Sequence, residues 1–446
     1  MDRILLEKLY SLRRFGIKPG LERISALLKK VGNPHEKLRA IHIAGTNGKG
    51  SVSSLLASIL QESGYRTGLY TSPHIYSFNE RIKINGKPIP DSDLEHLVAK
   101  YLDIGKDIEA TFFEITTAVA FEYFANQGID IWVLETGLGG LHDATNVITP
   151  LVSVITKIDF DHEEYIGRTI EEITTQKAGI IKPNRPAVIA KNPKLVYDTI
   201  LKLNRFRTDI FFVNKLTSSQ IIDISPRIMK ATISTFENSE YYIESPLIGK
   251  HQIDNISTAI VTSEILKSFT KITKETIIEG IKKVRTNTGL FGRFEAIRDN
   301  PPIIIDGAHN PDAVDSTVEL LGEIYPNTKW IIIFNAMKDK NYKKMLSILV
   351  PIADTFFFPN LQYERANSNV ELVNTLKELE TTNEGSKFFP TSIKFDTTLE
   401  ALNYADSLEK PILIIGSFYL LGELIPILKE KYLYNFPLQN DNHILI

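Results

Sequence analysis

Residues 38–51 read Leu38-Arg39-Ala40-Ile41-His42-Ile43-Ala44-Gly45-Thr46-Asn47-Gly48-Lys49-Gly50-Ser51. The run through Ala44 is apolar enough for a strand buried on both faces, which a parallel sheet covered by helices requires. A glycine-rich turn follows, and a helix is predicted from about Lys49 to Ser63. Small residues let backbone N–H groups converge on an anion at a helix N-terminus, whose dipole favours negative charge. Lys49 then reaches the terminal phosphates of a nucleotide, and the Ser51 hydroxyl helps to hold Mg2+. The usual spacing puts Ser or Thr directly after the lysine. Here Gly50 intervenes, so the loop is a variant of the phosphate-binding motif.

Outward from this unit, strands are predicted at Thr67–Tyr70, Asp130–Glu135, Val152–Thr156 and Ala187–Ala190, with helices between them. The stretch 210–248 is β-rich and polar and reads as an antiparallel edge to the sheet, followed by helices over 252–269 and 274–284. Periodicity stops across Thr286–Pro302, where Gly, Pro, Asn and Asp cluster, and this is the expected linker. A second βα series then begins, with strands at Ile303–Asp306, Trp330–Phe334, Asp354–Phe358 and Ile412–Ile415. Such strand–helix units support right-handed crossovers and a doubly wound sheet. The expected fold class is α/β. A mainly parallel, P-loop-containing ATPase domain over residues 1–297 precedes a smaller Rossmann-like α/β domain over 298–446.

Composition narrows the function classes. The 446 residues include 51 basic and 54 acidic side chains, a formal −3, so a nucleic-acid-binding surface is not expected. No cysteine is present, which excludes disulfides, thiolate metal sites and a cysteine nucleophile together. The charged N-terminus and the shortness of every apolar run predict neither signal peptide nor membrane span, hence a cytoplasmic protein. Glu135 closes an apolar run at the carboxyl edge of the predicted sheet, where open α/β folds bind ligands. A Glu at a strand end is as compatible with simple solvation, and Asp161-His162 is equally ambiguous read alone.

Further along the chain come Thr71–His74 (TSPH), Asn79–Ile82 (NERI), Asp161-His162, Gln176–Pro183 (QKAGIIKP), Gly249–Asn255, Gly292–Glu295 (GRFE) and Asp306–Pro311 (DGAHNP). With GTNGKGS ahead of them, these resemble the folylpolyglutamate synthase/dihydrofolate synthase branch of the Mur ligase superfamily, from about Leu21 to Gly422. The resemblance implies ATP-dependent addition of L-glutamate to a folate, and to dihydropteroate, through an acyl phosphate. Alternatives of other classes are a Mur-type ligase for another acidic acceptor and a catalytically inactive nucleotide-binding module.

Residue by residue, the resemblance implies that Asn47, Gly48, Lys49, Gly50 and Ser51 hold the ATP phosphates. It places Asn255 on the adenine side, Arg293 on a phosphate and Asp306 on the nucleotide. Ser72, Glu135 and His162 resemble the ligands of Mg2+, which K+ accompanies. Lys177 matches a lysine that the family carbamylates; without the motif it is a surface lysine on a helix. His309 matches a position of the glutamate-addition step. Asp306 has a competing reading as a cap for the helix at Asn310. Leu21 and Arg23, Phe113 and Glu114, and Asp143 resemble pterin-side substrate contacts, although adjacent Phe residues are commonly plain core. Leu141-His142-Asp143 stands where the family often has Arg-Leu-Asp, and Phe291 where its seam motif has Pro. ATP ligands on both sides of the linker imply a site completed by domain closure. The expected partners are small molecules, with no membrane and no nucleic acid, and the chain is expected to be a monomer.

Overall fold

The computed structural model describes residues 3–12, 16, 18–203, 208–237, 239–382 and 389–432. The tail of the second expected domain, beyond residue 432, lies outside the described residues. An eight-stranded sheet is built from β1 (Ala40–Ala44), β2 (Thr67–Tyr70), β3 (Ile82–Ile84), β4 (Lys87–Pro88), β5 (Ile131–Glu135), β6 (Val152–Ile155), β7 (Ala187–Ile189) and β8 (Ile210–Phe212). Its order is β4-β3-β2-β5-β1-β6-β7-β8. Neighbouring strands pair in parallel except at β2–β3 and β3–β4, which are antiparallel. Every residue of β1 is buried, as its sequence requires. The chain leaves β1 toward β2, returns through β5, and then builds β6 to β8 on the other side. The loop after β1 therefore sits at a topological switch point, the crevice in which open α/β sheets bind ligands.

The stretch read as an antiparallel edge divides in two. Ile210–Phe212 is a parallel edge strand. Next, β9 (Thr217–Ile224), β10 (Met229–Thr235) and β11 (Glu240–Ser245) form a separate antiparallel sheet of order β11-β10-β9. The reason is the burial period: β11 alternates exposed and buried residues, a pattern suited to one covered face, not to a sheet covered on both.

The second sheet holds β12 (Glu295–Asp299), β13 (Pro302–Asp306), β14 (Trp330–Phe334), β15 (Ala353–Pro359), β16 (Thr391–Phe395) and β17 (Ile412–Ile415), in the order β12-β13-β17-β14-β15-β16. The expected linker is thus partly a strand, since Glu295–Asp299 pairs antiparallel with β13. The division expected after residue 297 consequently falls inside β12. Turn formers on either side disguised the short apolar centre Ala296-Ile297. Edge strand β16 was missed as well, because its only apolar residues are Ile393 and Phe395 and it has no apolar run.

The Lys49–Glu62 helix is buried from Ser51 to Leu60, with the Lys274–Lys282 helix packed against it. The two approach closely at Gly280, whose carbonyl accepts the Ser58 hydroxyl at 2.6 Å. A Cβ on Gly280 would stand 2.5 Å from the Cα of Ile59, and backbone cannot yield as a side chain does. Gly280→Ala is therefore expected to destabilise the fold by about 1–3 kcal/mol. Urea melts measure this, and an unchanged midpoint would refute the packing argument. Among the described residues, no helix is long and apolar enough to cross a membrane.

Candidate active site

Gly48 precedes the Lys49–Glu62 helix with φ +88°, a left-handed conformation that favours glycine. A Cβ there would also lie 2.3 Å from Asn255 Oδ1. Asn255 is held in turn by the bond from its Nδ2 to Gln252 Oε1 (3.0 Å). The N–H groups of Thr46 and Asn47 donate to the Lys157 carbonyl (2.8 and 3.2 Å), tethering the loop beyond the end of β6. The Lys49 ammonium folds back onto the carbonyls of Gly45 (3.0 Å) and Thr46 (3.1 Å), at the mouth of the loop. The extra glycine of the motif has a spatial reason. A Cβ on Gly50 would come 3.4 Å from Arg293 Nη2 and 3.8 Å from Glu135 Oε2, so both side chains lie directly over the loop.

Glu135 ends β5, 3% exposed, and its Oε2 has no hydrogen-bond partner among the described residues. Burial pushes its carboxyl up to about 7, against the pull of Lys49 and Arg293. Among the described residues, buried Ser51 likewise leaves its Oγ without a partner. Orphaned buried oxygens call for an explanation, and these are the donor type a hard cation takes. Among the described residues, no three carboxylate or imidazole groups converge on a metal position. Mg2+ would draw its remaining oxygens from phosphate and water, as it does in nucleotide sites. Ser72 and His162 line the same cavity as Glu135. Burial lowers His162 to about 4, so its ring is neutral at pH 7, with Nε2 3.4 Å from the Lys340 ammonium.

Lys177 is not a surface lysine. It is 4% exposed on the Ile170–Ala178 helix and donates to the Gly45 carbonyl at 2.8 Å. Burial, assisted by Lys49, lowers it to about 7, so a large share is the free amine near neutrality.

From the second sheet come Asp306, which ends β13, and His309, on the loop leaving it. Asp306 accepts from the N–H groups of Ala308 (2.7 Å) and Phe294 (2.9 Å), and burial raises it to about 6. The helix cap is instead Asn310, which accepts from the Ala313 N–H at 2.9 Å, so the capping reading of Asp306 is overturned. The Arg293 guanidinium stacks over the Phe418 ring, 4.9 Å from its centroid. His309 pairs its Nδ1 with the Gly307 carbonyl at 2.9 Å, and burial lowers it to about 4.

One cavity of about 520 Å³ is lined by Asn47, Gly48, Lys49, Gly50, Ser51, Ser72, Glu135, His162, Lys177, Asn255, Arg293, Asp306 and His309 together. Contacts across the seam close its sides. The Asn47 amide donates to Asp312 (2.8 Å), Asn310 donates to Asn47 (2.8 Å), Lys157 pairs with Asp312, and Lys340 pairs with Asp161 at 2.6 Å. Sequence reasoning missed Lys157, Asp312, Lys340 and Phe418. For Lys340 a signal existed, an Asp-Lys pair in the loop leaving β14 at a carboxyl edge.

The five expected substrate contacts stand apart from this cavity. Arg23 pairs with Glu114 (3.1 Å), and Glu114 also accepts the Thr111 N–H (2.7 Å). Leu21 packs with Phe113 against the apolar core beside β1. Phe113 reaches the cavity wall indirectly, since its ring fills the space where a Cβ on Gly137 would stand. Asp143 is 6% exposed, with both oxygens bound inside the chain, to the N–H groups of Gly137 (3.0 Å), Leu138 (2.8 Å) and Thr145 (3.0 Å). Its carboxylate thus organises the loop after Glu135.

Known proteins share this fold. The Mur ligase middle domain matches residues 43–263, and the Mur ligase glutamate ligase domain matches residues 292–418. The chain is 35% identical over 421 residues to the dihydrofolate synthase/folylpolyglutamate synthase of Bacillus subtilis (strain 168), covering 92% of this chain and 95% of that one. It is 36% identical over 358 residues to the folylpolyglutamate synthase of Lacticaseibacillus casei, covering 75% and 79%. Among solved structures, E. coli FolC in complex with DHPP and ADP superposes with a TM-score of 0.83 at 26% identity, over 96% of this chain and 98% of that one. The Mycobacterium tuberculosis folylpolyglutamate synthase complexed with ADP and AMPPCP does so with 0.83 at 28%, over 95% and 99%.

Proposed function

Since the chain belongs to the Mur ligase family, in its folylpolyglutamate/dihydrofolate synthase branch, we propose how its own residues carry out that branch's reaction. The protein is an ATP-dependent ligase that adds L-glutamate to folates. An acceptor carboxylate oxygen bonds to the γ-phosphorus of ATP as the bond to ADP breaks, leaving an acyl phosphate. The glutamate nitrogen then bonds to the acyl carbon, losing a proton, and inorganic phosphate departs. Positioning and charge neutralisation carry such chemistry, since little covalent work falls to the protein.

The observation that carries this reading is the single cavity joining the phosphate loop, Glu135 and Lys177 of one sheet to Asp306 and His309 of the other. Asn47 to Ser51 hold the phosphates, with Lys49 and Arg293 as cations, while Asn255 meets the base. Ser72, Glu135 and His162 would hold Mg2+, which would supply charge neutralisation there. Asp306 keeps the Phe294–Ala308 junction in shape through its two backbone bonds. With its Nδ1–H on the Gly307 carbonyl, His309 turns the Nε2 lone pair outward to accept the proton lost by the glutamate amine. Leu21, Arg23, Phe113, Glu114 and Asp143 shape the acceptor side through the wall at Gly137. With the division moved from residue 297 to the start of β12, we assign the part ahead of Glu295 to ATP and pterin and the part from β12 onward to glutamate. The enzyme works as a cytoplasmic monomer, where ATP and glutamate are both supplied.

Phosphate release from ATP plus glutamate, with dihydropteroate or tetrahydrofolate added in turn, tests the reading. Stimulation by tetrahydrofolate is expected, and stimulation by dihydropteroate marks the second activity. Absence of stimulation by either pterin refutes the assignment.

A further inference from the structure

His42 is 0% exposed in the middle of β1, a polar ring in a strand that otherwise carries only Ala and Ile. Its Nε2 lies 2.8 Å from Thr145 Oγ1, and Thr145 Oγ1 lies 2.5 Å from Asp143 Oδ1. Three backbone N–H groups already point at the Asp143 carboxylate, so it acts as an acceptor and the Thr145 hydroxyl donates to it. His42 can then bond to the same hydroxyl oxygen only by donating its Nε2–H. This assignment leaves Nδ1 bare, and Nδ1 indeed has no partner among the described residues. The direction of the chain is fixed: His42 to Thr145, Thr145 to Asp143, with Asp143 accepting from Gly137 and Leu138.

The loop at the end of this chain joins the two groups assigned to charge handling. Glu135 precedes it directly. On its far side Leu141 donates its N–H to the Gln176 carbonyl at 2.7 Å, beside Lys177. Contact there is tight, for a Cβ on Gly140 would stand 2.8 Å from the Lys177 carbonyl.

On the premise that the protein is this glutamate ligase, we infer that His42 is a positioning residue, acting through Thr145 and Asp143 to fix the loop that spaces Glu135 from Lys177. It touches no reactant; its hydrogen bond sets where the loop lies. Burial holds the ring at about 3, so it remains a neutral donor across the working pH range.

The test is steady-state kinetics of the full chain with ATP, glutamate and tetrahydrofolate. Wild-type turnover comes first, since its absence would overturn the ligase reading and not the role of His42. His42→Leu removes the donor and is expected to lower kcat about 10–100-fold, the range for residues that orient a site from behind, with the KM for ATP unchanged. His42→Gln places an amide N–H near the Nε2 position and is expected to restore most of the loss. Thr145→Val, which breaks the chain one step later without a large change of volume, is expected to reproduce the His42→Leu defect and covers the case in which that variant fails to fold. Wild-type turnover in Thr145→Val, or equal loss in folded Leu and Gln variants at position 42, overturns the inference.

Discussion

Lys49→Ala is expected to lower ATP-dependent ligation by about 10²–10³-fold, the effect of removing one donor aimed at developing charge. The argument is geometric. Lys49 is the first residue of its helix, and its ammonium is held on the carbonyls of Gly45 and Thr46. Incoming phosphate oxygens meet a cation already in place, with helix N–H groups behind it. Alanine keeps the helix start and removes the ammonium with its two bonds to the loop carbonyls, so folding is expected to survive. Glutamate- and pterin-dependent phosphate release measures the effect, and unchanged release would refute the phosphate-loop assignment.

Lys177→Ala is expected to lower turnover on the order of 10²-fold while ATP affinity changes far less. Carbamylation joins the nitrogen of the neutral amine to the carbon of CO2 and releases one proton, turning a neutral group into an anion. Only the free amine can do this. With Lys177 lowered to about 7 by burial and Lys49, the amine fraction grows as pH rises through that value. Activity of CO2-depleted enzyme should therefore recover on adding bicarbonate above about pH 7 and recover poorly below it. Lys177→Ala should show no bicarbonate response at any pH. A bicarbonate response that persists in the alanine variant, or ligation at the wild-type rate, sinks the carbamate role.

The two effects separate. Loss at Lys49 weakens the meeting of ATP with the loop, whereas loss at Lys177 spares nucleotide binding. Isothermal titration with ADP distinguishes them directly.

The phosphate loop, β1 and the helix after it were legible because they are local. A buried strand, a glycine that must adopt positive φ and a lysine at a helix start are all written within residues 40–51. The second βα series was legible for the same reason, each strand being a short apolar run. Strand β12 was not, because its pairing with β13 lies across a turn rich in breakers. The separate antiparallel sheet was misjudged because period-2 burial indicates a half-covered sheet but not which elements cover it.

Roles of side chains divide along the same line. Lys49 could be named from the chain alone, since its loop and helix start limit what it can bind, whereas Glu135 was ambiguous read alone and Asp306 was named only through the resemblance. Whether Lys177 is a surface lysine or a buried free amine depends on what surrounds it, and only packing against Gly45 and Lys49 resolves that. Asp143 read as a substrate contact, yet its oxygens are taken up by backbone N–H groups that the loop brings to it. His42 gave no signal beyond a polar residue in an apolar strand. Local chemistry is carried by residue type, but burial and the direction of a hydrogen bond are set by neighbours distant in sequence. Only the folded chain specifies those.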